Sequence, residues 1–246
     1  MQTPLTTEQV EQLKAFETCL MADAIESFGV RLRNEGIATA GFRCFFKSLP
    51  PIVGYAATCK VRSADPPVVG SRYEERTDWW HHITSVPAPR VVVMQDIDNP
   101  PGTGAFVGKV HASLLMTLGC VGLVTNGAAR ELPGIEACGF QVFAGRLAIS
   151  RAYIHVVEFG GPVEVGRLTI HPGDLIHGDR HGILTVPPEL VPRLPAAACA
   201  IREKKDHLIR LSRQPGATHE EFSRGLKDLL DFSPDSLPTG AKPWKP

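Results

Sequence analysis

An α/β fold class is predicted for this 246-residue chain by three features: apolar residues at helical spacing near its start, a strand–loop–helix–strand unit in its middle, and short strands punctuated by Gly and Pro after it. A hydrophobic fraction of 43% with 21% charged residues is that of an ordinary folded body, since disorder needs a far more polar chain.

The elements follow in order. Val10, Leu13, Phe16, Leu20, Ala24 and Phe28 recur at steps of three and four, so one helix is expected from Thr7 to Phe28, capped by Thr6 or Thr7 and ended by Gly29. Ile52 to Val61 reads as a buried strand that Pro66-Pro67 closes. Ser71 to Pro89, with Trp79-Trp80-His81-His82 at its centre, reads as a short helix bordered by proline. Val91 to Met94 is a strand, Pro100 to Gly108 a glycine loop, Lys109 to Leu118 a helix and Val121 to Val124 the next strand, which makes a βαβ unit. Gln141-Val142-Phe143, Tyr153 to Val157 and Ile183 to Val186 are further short strands, and Ala196 to Leu211 is a final helix. Residues 1–212 form the expected domain, and 213–246 an extension packing on it or on a neighbouring subunit.

Several function classes are disfavoured by composition. Lys plus Arg and Asp plus Glu both total 26, so no overall field draws the protein to nucleic acid or to an anionic membrane. The longest apolar stretches are interrupted by Gly, Pro or charge, short of the roughly 18–20 residues a membrane helix needs. The start, MQTPLTTEQVEQLKAF, lacks the basic and apolar regions of a secretory signal. Six cysteines without a CxxC pair suit free thiols in a reducing compartment, and the location expected is cytoplasmic.

The loop Pro100-Pro101-Gly102-Thr103-Gly104-Ala105-Phe106-Val107-Gly108 lies between a strand and a helix, where free amides at a helix N-terminus can face an anion. Its GxGxxxG spacing is a poor dinucleotide fingerprint, and Val110 stands where a phosphate loop needs Ser or Thr. From the loop alone, a turn that merely permits tight packing is an equal reading. Asn126-Gly127-Ala128-Ala129-Arg130-Glu131 follows the next parallel strand and should emerge at the same sheet edge, bringing Arg130 to the loop.

With those segments in view, the chain resembles the RraA-like family, which includes pyruvate aldolases acting on 4-hydroxy-4-methyl-2-oxoglutarate and regulators that bind ribonuclease E. The resemblance runs from about Asp23 to about Glu203. It is carried by Asp23-Ala24-Ile25, Gly54 to Thr58, the loop and helix up to Gly119-Cys120-Val121-Gly122-Leu123-Val124, Asn126 to Arg130, Gly139 to Ala144, and Pro172 to Ile183. It implies a three-layer β/β/α fold of the swivelling-domain type with N- and C-terminal helices, a homotrimer or a homohexamer, and active sites at subunit boundaries. It also implies a small 2-oxo acid substrate and Mg²⁺ or Mn²⁺ as cofactor. Carried over residue by residue, Arg130 and the amides of Val110 and His111, just after Gly108-Lys109, hold the pyruvoyl group. Glu131 takes the metal-ligand position, and Glu203, from a neighbouring subunit's C-terminal helix, adds a carboxylate.

Three positions depart from the aldolase pattern: Lys109 and Gly134 stand where it has acidic residues, and Glu131 where it has the metal-binding Asp. A cation at a helix N-terminus is disfavoured by roughly 0.3–1 kcal/mol, so a negative group is expected beside Lys109, with Glu131 the obvious one. If the aldolase chemistry holds, a chelated divalent metal acts as Lewis acid on the enolate, Arg130 meets its charge, and oxaloacetate decarboxylation is served by the same site. A Schiff base on Lys109 is a minor variant, and a non-catalytic binding or regulatory protein that has lost the metal site is the alternative.

Other ligand-type residues have plainer readings. His171, His177 and His181 with Asp174 and Asp179 read as successive turns in which Asp accepts backbone hydrogen bonds, more than as a metal site. Packing is the expected role of Trp79 to His82. Asp23 is left open between a solvent edge, a cap and a site across a subunit boundary.

Overall fold

The computed structural model describes residues 4–67 and 77–237. Of the segment Ser71 to Pro89, therefore, the part before residue 77 lies outside the described residues, as does the end of the tail after residue 237.

The chain opens with α1 (Thr7–Lys14), whose Thr6 hydroxyl accepts the Gln9 NH while the Gln9 side chain accepts the Thr6 NH, a reciprocal cap. The single helix expected to Phe28 is broken: α2 (Thr18–Ser27) starts anew after Phe16. The cause lies far away in sequence, because the Leu13 carbonyl meets His177 Nε2 at 3.2 Å and the Thr18 NH donates to Asp179 Oδ2 at 2.9 Å. Those bonds replace the i→i−4 ladder that would have carried the helix through.

Next come β1 (Arg43–Cys44), β2 (Ile52–Arg62), α3 (Thr77–Ser85) and β3 (Arg90–Asp96). β4 (Ala105–Val107), α4 (Lys109–Thr117), β5 (Cys120–Thr125), β6 (Ala128–Ala129) and α5 (Leu132–Ala137) complete the middle. β7 (Gln141–Ala144), β8 (Arg146–Leu147), β9 (His155–Phe159), β10 (Val163–Val165), β11 (Leu168–Ile170), β12 (Leu175–Asp179) and β13 (Gly182–Val186) follow, then α6 (Leu194–Ser212) and α7 (His219–Leu230).

The main sheet runs β1-β7-β5-β3-β2-β12-β13, with β9 on the far end of β2. Its centre, β7-β5-β3-β2, is parallel, and the βαβ unit read from the sequence is β3-α4-β5. β2 is buried on both faces over most of its length, which is why it reads as an unbroken apolar run. Alternate residues of β3 feed two cores. Val92 and Met94 pack with α1, α2, α4 and α6, while Val91 and Val93 pack under the β10–β11 hairpin. Helices, sheet and hairpin are thus three layers, as the resemblance implied.

Each of three adjacent parallel strands has a continuation in a second, smaller sheet. β3 leads to β4, β5 to β6 and β7 to β8, and β4-β6-β8 are themselves parallel neighbours. This small sheet extends the carboxyl edge of the main one, where open α/β sheets bind ligands. Among the described residues no helix is long and apolar enough to cross a membrane. All six cysteines are free thiols.

Candidate active site

Because β4 and β6 pair in parallel, the residues that follow them emerge side by side. The Arg130 NH donates to the Val107 carbonyl at 2.9 Å, which fixes Arg130 next to the N-terminus of α4. Gly108 caps that helix in an extended conformation, φ −131° and ψ −177°, without a side chain of its own. A carboxylate from the neighbouring segment does the capping. Glu131 Oε2 accepts the Lys109 NH at 3.0 Å, and Glu131 Oε1 accepts Arg130 Nη2 at 2.6 Å.

Glu131 reaches both partners from a left-handed backbone, φ 56° and ψ 38°, a conformation that costs a non-glycine residue energy and that concentrates at functional positions. Gly108 leaves the room for it: a Cβ at 108 would sit 2.7 Å from Glu131 Oε2 and 3.4 Å from Arg130 Cγ. The Glu131 carboxyl is held below the usual range by the Arg130 hydrogen bond first and by the Lys109 NH second. It stays an anion at neutral pH.

The expected partnership of Lys109 with Glu131 therefore takes a different form. Glu131 touches the Lys109 peptide NH, while the ammonium acts on it only as a nearby charge, and Arg130 is the ion-pair partner. The reason is geometric, since the αL backbone of Glu131 aims its side chain across Gly108 at the helix end. α-Helical geometry points the first-turn amides of Val110 and His111 out of that same end. The His111 ring is buried, tilted against Phe106 at 5.5 Å.

The glycine loop is held by a hydrogen-bond network that sequence reasoning passed over. Buried Asp96 accepts the Gly102 NH at 2.7 Å and the Asp98 NH at 3.0 Å, and burial raises its pKa despite those bonds. Asp98 accepts the NH groups of Ser63 and Ala64, the Ser63 hydroxyl accepts the Gly104 NH, and the Asn126 side chain clasps the Asp96 backbone through 2.7 and 2.8 Å bonds. The Arg146 stem lies over Gly102, where a Cβ would sit 2.7 Å from its Cδ. An Asp-Ile-Asp-Asn-Pro run before the glycines is the sequence signal of this turn network.

Glu203 stands elsewhere in the chain. It is exposed on α6 and lines a cleft with Lys204, His207, Glu221 and Arg224, to which the glycine loop contributes nothing. The His171 to His181 segment is structural, as the turns suggested. Asp174 accepts the His171 NH and Asp179 the His181 NH, each at 2.8 Å. His177 is wholly buried between Thr18 Oγ1 and the Leu13 carbonyl. Trp79 is a core residue stacked on His82, and Asp23 forms an ion pair with Lys205 of α6.

A divalent metal can be tested against these donors. Mg²⁺ asks for about six oxygens in octahedral array, several of them commonly water, with one or two carboxylates from the protein. Glu131 offers one carboxylate with both oxygens engaged, flanked by Lys109 and by Gly134, neither of which supplies a ligand. Among the described residues no group of three or more His, Cys, Asp or Glu is arranged to hold a metal ion. One chain thus supplies a single carboxylate already shared with a guanidinium and a helix end, with the charges of Arg130 and Lys109 beside it, a poor set for Mg²⁺ or Mn²⁺.

Comparison with known proteins gives the ancestry. A Halalkalibacterium halodurans protein named as a candidate 4-hydroxy-4-methyl-2-oxoglutarate aldolase is 29% identical over 179 residues, 72% of either chain. Two solved structures share the fold. An uncharacterized Pseudomonas syringae pv. tomato protein superposes with a TM-score of 0.68 at 21% identity, over 90% of this chain and 95% of its own. Streptomyces coelicolor RraAS2, described as an unusual member of the RNase ES inhibitor RraA family, does so with a TM-score of 0.65 at 18% identity, over 85% and 99%. The family model described as RraA-like, Aldolase/RraA, matches residues 18–185, well over half of the sequence, and the chain belongs to the RraA-like family.

Proposed function

We propose that the chain is a carbon–carbon lyase that binds a small 2-oxo acid and releases pyruvate. The supporting observation is that one carboxylate, that of Glu131, already touches both the Arg130 guanidinium and the N-terminal turn of α4. A substrate carboxylate set beside it would meet the same two donors. Arg130 carries five N–H groups, and the contacts with Glu131 and with the Ile149 carbonyl at 3.4 Å engage two of its nitrogens. The rest, with the amides of Val110 and His111, would hold the carboxylate and the 2-oxo oxygen.

In retro-aldol cleavage of a 4-hydroxy-2-oxo acid such as 4-hydroxy-4-methyl-2-oxoglutarate, the C4 hydroxyl loses its proton, C4 becomes the carbonyl of the departing oxo acid, and the C3–C4 bond breaks. The electron pair moves onto the C2 oxygen as an enolate, which a proton at C3 converts to pyruvate. Donors fixed in advance around that oxygen lower the barrier where charge develops. Oxaloacetate decarboxylation leaves the same enolate and would draw on the same donors. Mg²⁺ or Mn²⁺, expected from the resemblance, would have the single carboxylate of Glu131 in one chain, and no step depends on it.

Homo-oligomeric assembly, as a trimer or hexamer, belongs to the proposal. Val110 on the first turn of α4, Leu147 paired beside Ala129, and Ile149, whose carbonyl accepts from Arg130, are exposed, Ile149 by 99%, and are suited to burial against another copy. Glu203 would reach a site from such a neighbour. The incomplete metal site favours a second reading, a non-catalytic binding protein of the same family.

Pyruvate release, followed by coupled NADH oxidation with lactate dehydrogenase, tests the choice. Turnover of 4-hydroxy-4-methyl-2-oxoglutarate or oxaloacetate that Arg130→Ala abolishes supports the lyase. No turnover of either, at any metal concentration, refutes it in favour of the binding protein.

A further inference from the structure

We propose that the Lys109 ammonium is the built-in cation of this site, so that the carboxylate of a 2-oxo acid is bound with no divalent metal ion. The inference rests on the 2-oxo acid reading and goes further, because it states what supplies the positive charge.

Three observations carry it. The first is the engagement of Glu131, each of whose two oxygens already accepts a hydrogen bond, one from Arg130 and one from the Lys109 NH. A metal ion on Glu131 would have to share those oxygens with a helix end and with the Arg130 guanidinium 2.6 Å away.

The second is the fit between positions 109 and 134. The aliphatic stem of Lys109 lies across Gly134, where a Cβ would sit 2.9 Å from Lys109 Cβ and 3.1 Å from its Cδ. Any side chain at 134, an acidic one included, would displace that stem. A lysine lying this way at 109 therefore requires glycine at 134. The carboxylate that could have supplied a further ligand is absent, and the space it would need is occupied by a lysine.

The third is local charge. Arg130 and Lys109 against Glu131 leave one net positive charge at the mouth of α4, matched to a single carboxylate. A divalent ion added there would face two fixed cations and the positive end of a helix. A carboxylate would face the same groups as attractions. Lys109 on the first turn of α4 also opposes the helix dipole, a cost that a bound anion offsets.

The test uses the full chain in its own assembly, stripped of metal with chelator, and oxalate as the probe. Mn²⁺ titration followed by electron paramagnetic resonance should leave the free-ion signal undiminished at one equivalent per chain. Oxalate affinity by calorimetry should change less than about threefold when Mn²⁺ is added. Lys109→Ala should weaken oxalate about tenfold or more, the loss expected for a charged hydrogen-bonding partner, with Lys109→Arg restoring most of it. Gly134→Ala, which pushes the lysine stem aside without touching its charge, should weaken oxalate by a smaller factor, and circular dichroism would show all three variants folded.

Stoichiometric Mn²⁺ binding with oxalate affinity dependent on it overturns the inference and leaves the 2-oxo acid reading standing. Unchanged oxalate affinity in Lys109→Ala overturns it as well. Failure of oxalate to bind with or without Mn²⁺ overturns the inference and the reading beneath it together.

Discussion

Acid should loosen the N-terminal helices through one side chain, His177. Its ring is fully buried, with Nε2 at 3.2 Å from the Leu13 carbonyl and Nδ1 at 3.0 Å from the Thr18 hydroxyl. The neutral tautomer with a proton on Nε2 satisfies both contacts, donating to Leu13 and accepting from Thr18. Burial above all lowers its pKa from 6.5 to about 4. A histidine with a folded-state pKa below its unfolded value takes its proton more readily once unfolded. Its stabilising contribution is therefore complete above about pH 6.5 and declines as the pH falls toward 4. At about 1.36 kcal/mol per pH unit the decline reaches on the order of 3 kcal/mol, a large part of the stability of an ordinary domain. Asp179 beside it acts in a lower window. Burial would raise its pKa, but hydrogen bonds from His181 and Thr18 hold it below 3.8, so its contribution is lost only under stronger acid. The measurement is urea unfolding of the wild type and of His177→Gln at pH 7, 6 and 5. The wild type should lose roughly 2 kcal/mol more than the variant between pH 7 and 5. Parallel curves for the two proteins would refute the assignment.

Arg130→Ala should lower kcat for pyruvate release roughly a hundred- to a thousandfold, the usual effect of removing a donor aimed at developing charge, while thermal unfolding moves little because the guanidinium is partly exposed. Gly104→Ala should destabilise by about 1–3 kcal/mol, since its methyl would lie 2.8 Å from the Arg151 carbonyl carbon in a loop that Asp96, Asp98 and Ser63 hold in place; calorimetric unfolding checks it, and an unchanged midpoint would contradict the rigid loop. Iodoacetamide at pH 8 should label exposed Cys19 well before Cys59 or Cys120, because burial closes off both thiols and pushes that of Cys120 up to about 12; peptide mass spectrometry reads the order.

The βαβ unit was legible because apolar runs and a glycine loop have local signatures, and from it followed the convergence of Arg130 on the N-terminus of α4. What was not legible depends on distant partners or very short pieces. The break after Lys14 is made by His177 and Asp179, more than 150 residues along the chain, so the helical spacing of Val10 to Phe28 gives no warning of it. β6 and β8 are two residues each, too short for alternation to show, yet with β4 they build the sheet that positions the site. The left-handed backbone of Glu131 decides that the carboxylate caps α4 through the Lys109 NH, and nothing in residue type announces it. The extension from residue 213 is assigned no helix from the sequence, although Thr218 and Glu221 form a capping box and Phe222, Leu226 and Leu230 recur every four residues. That helix, α7, packs along α6, with Gly225 allowing Leu208 close approach.

The proposed lyase requires Arg130 and the first-turn amides of α4 to grip one carboxylate. A crystal of the full chain soaked in oxalate, without added metal, tests it most directly. Electron density for oxalate bridging the Arg130 guanidinium and the Val110 and His111 amides is the predicted result. Oxalate bound at another place, or none at this one with the site open to solvent, would contradict the account.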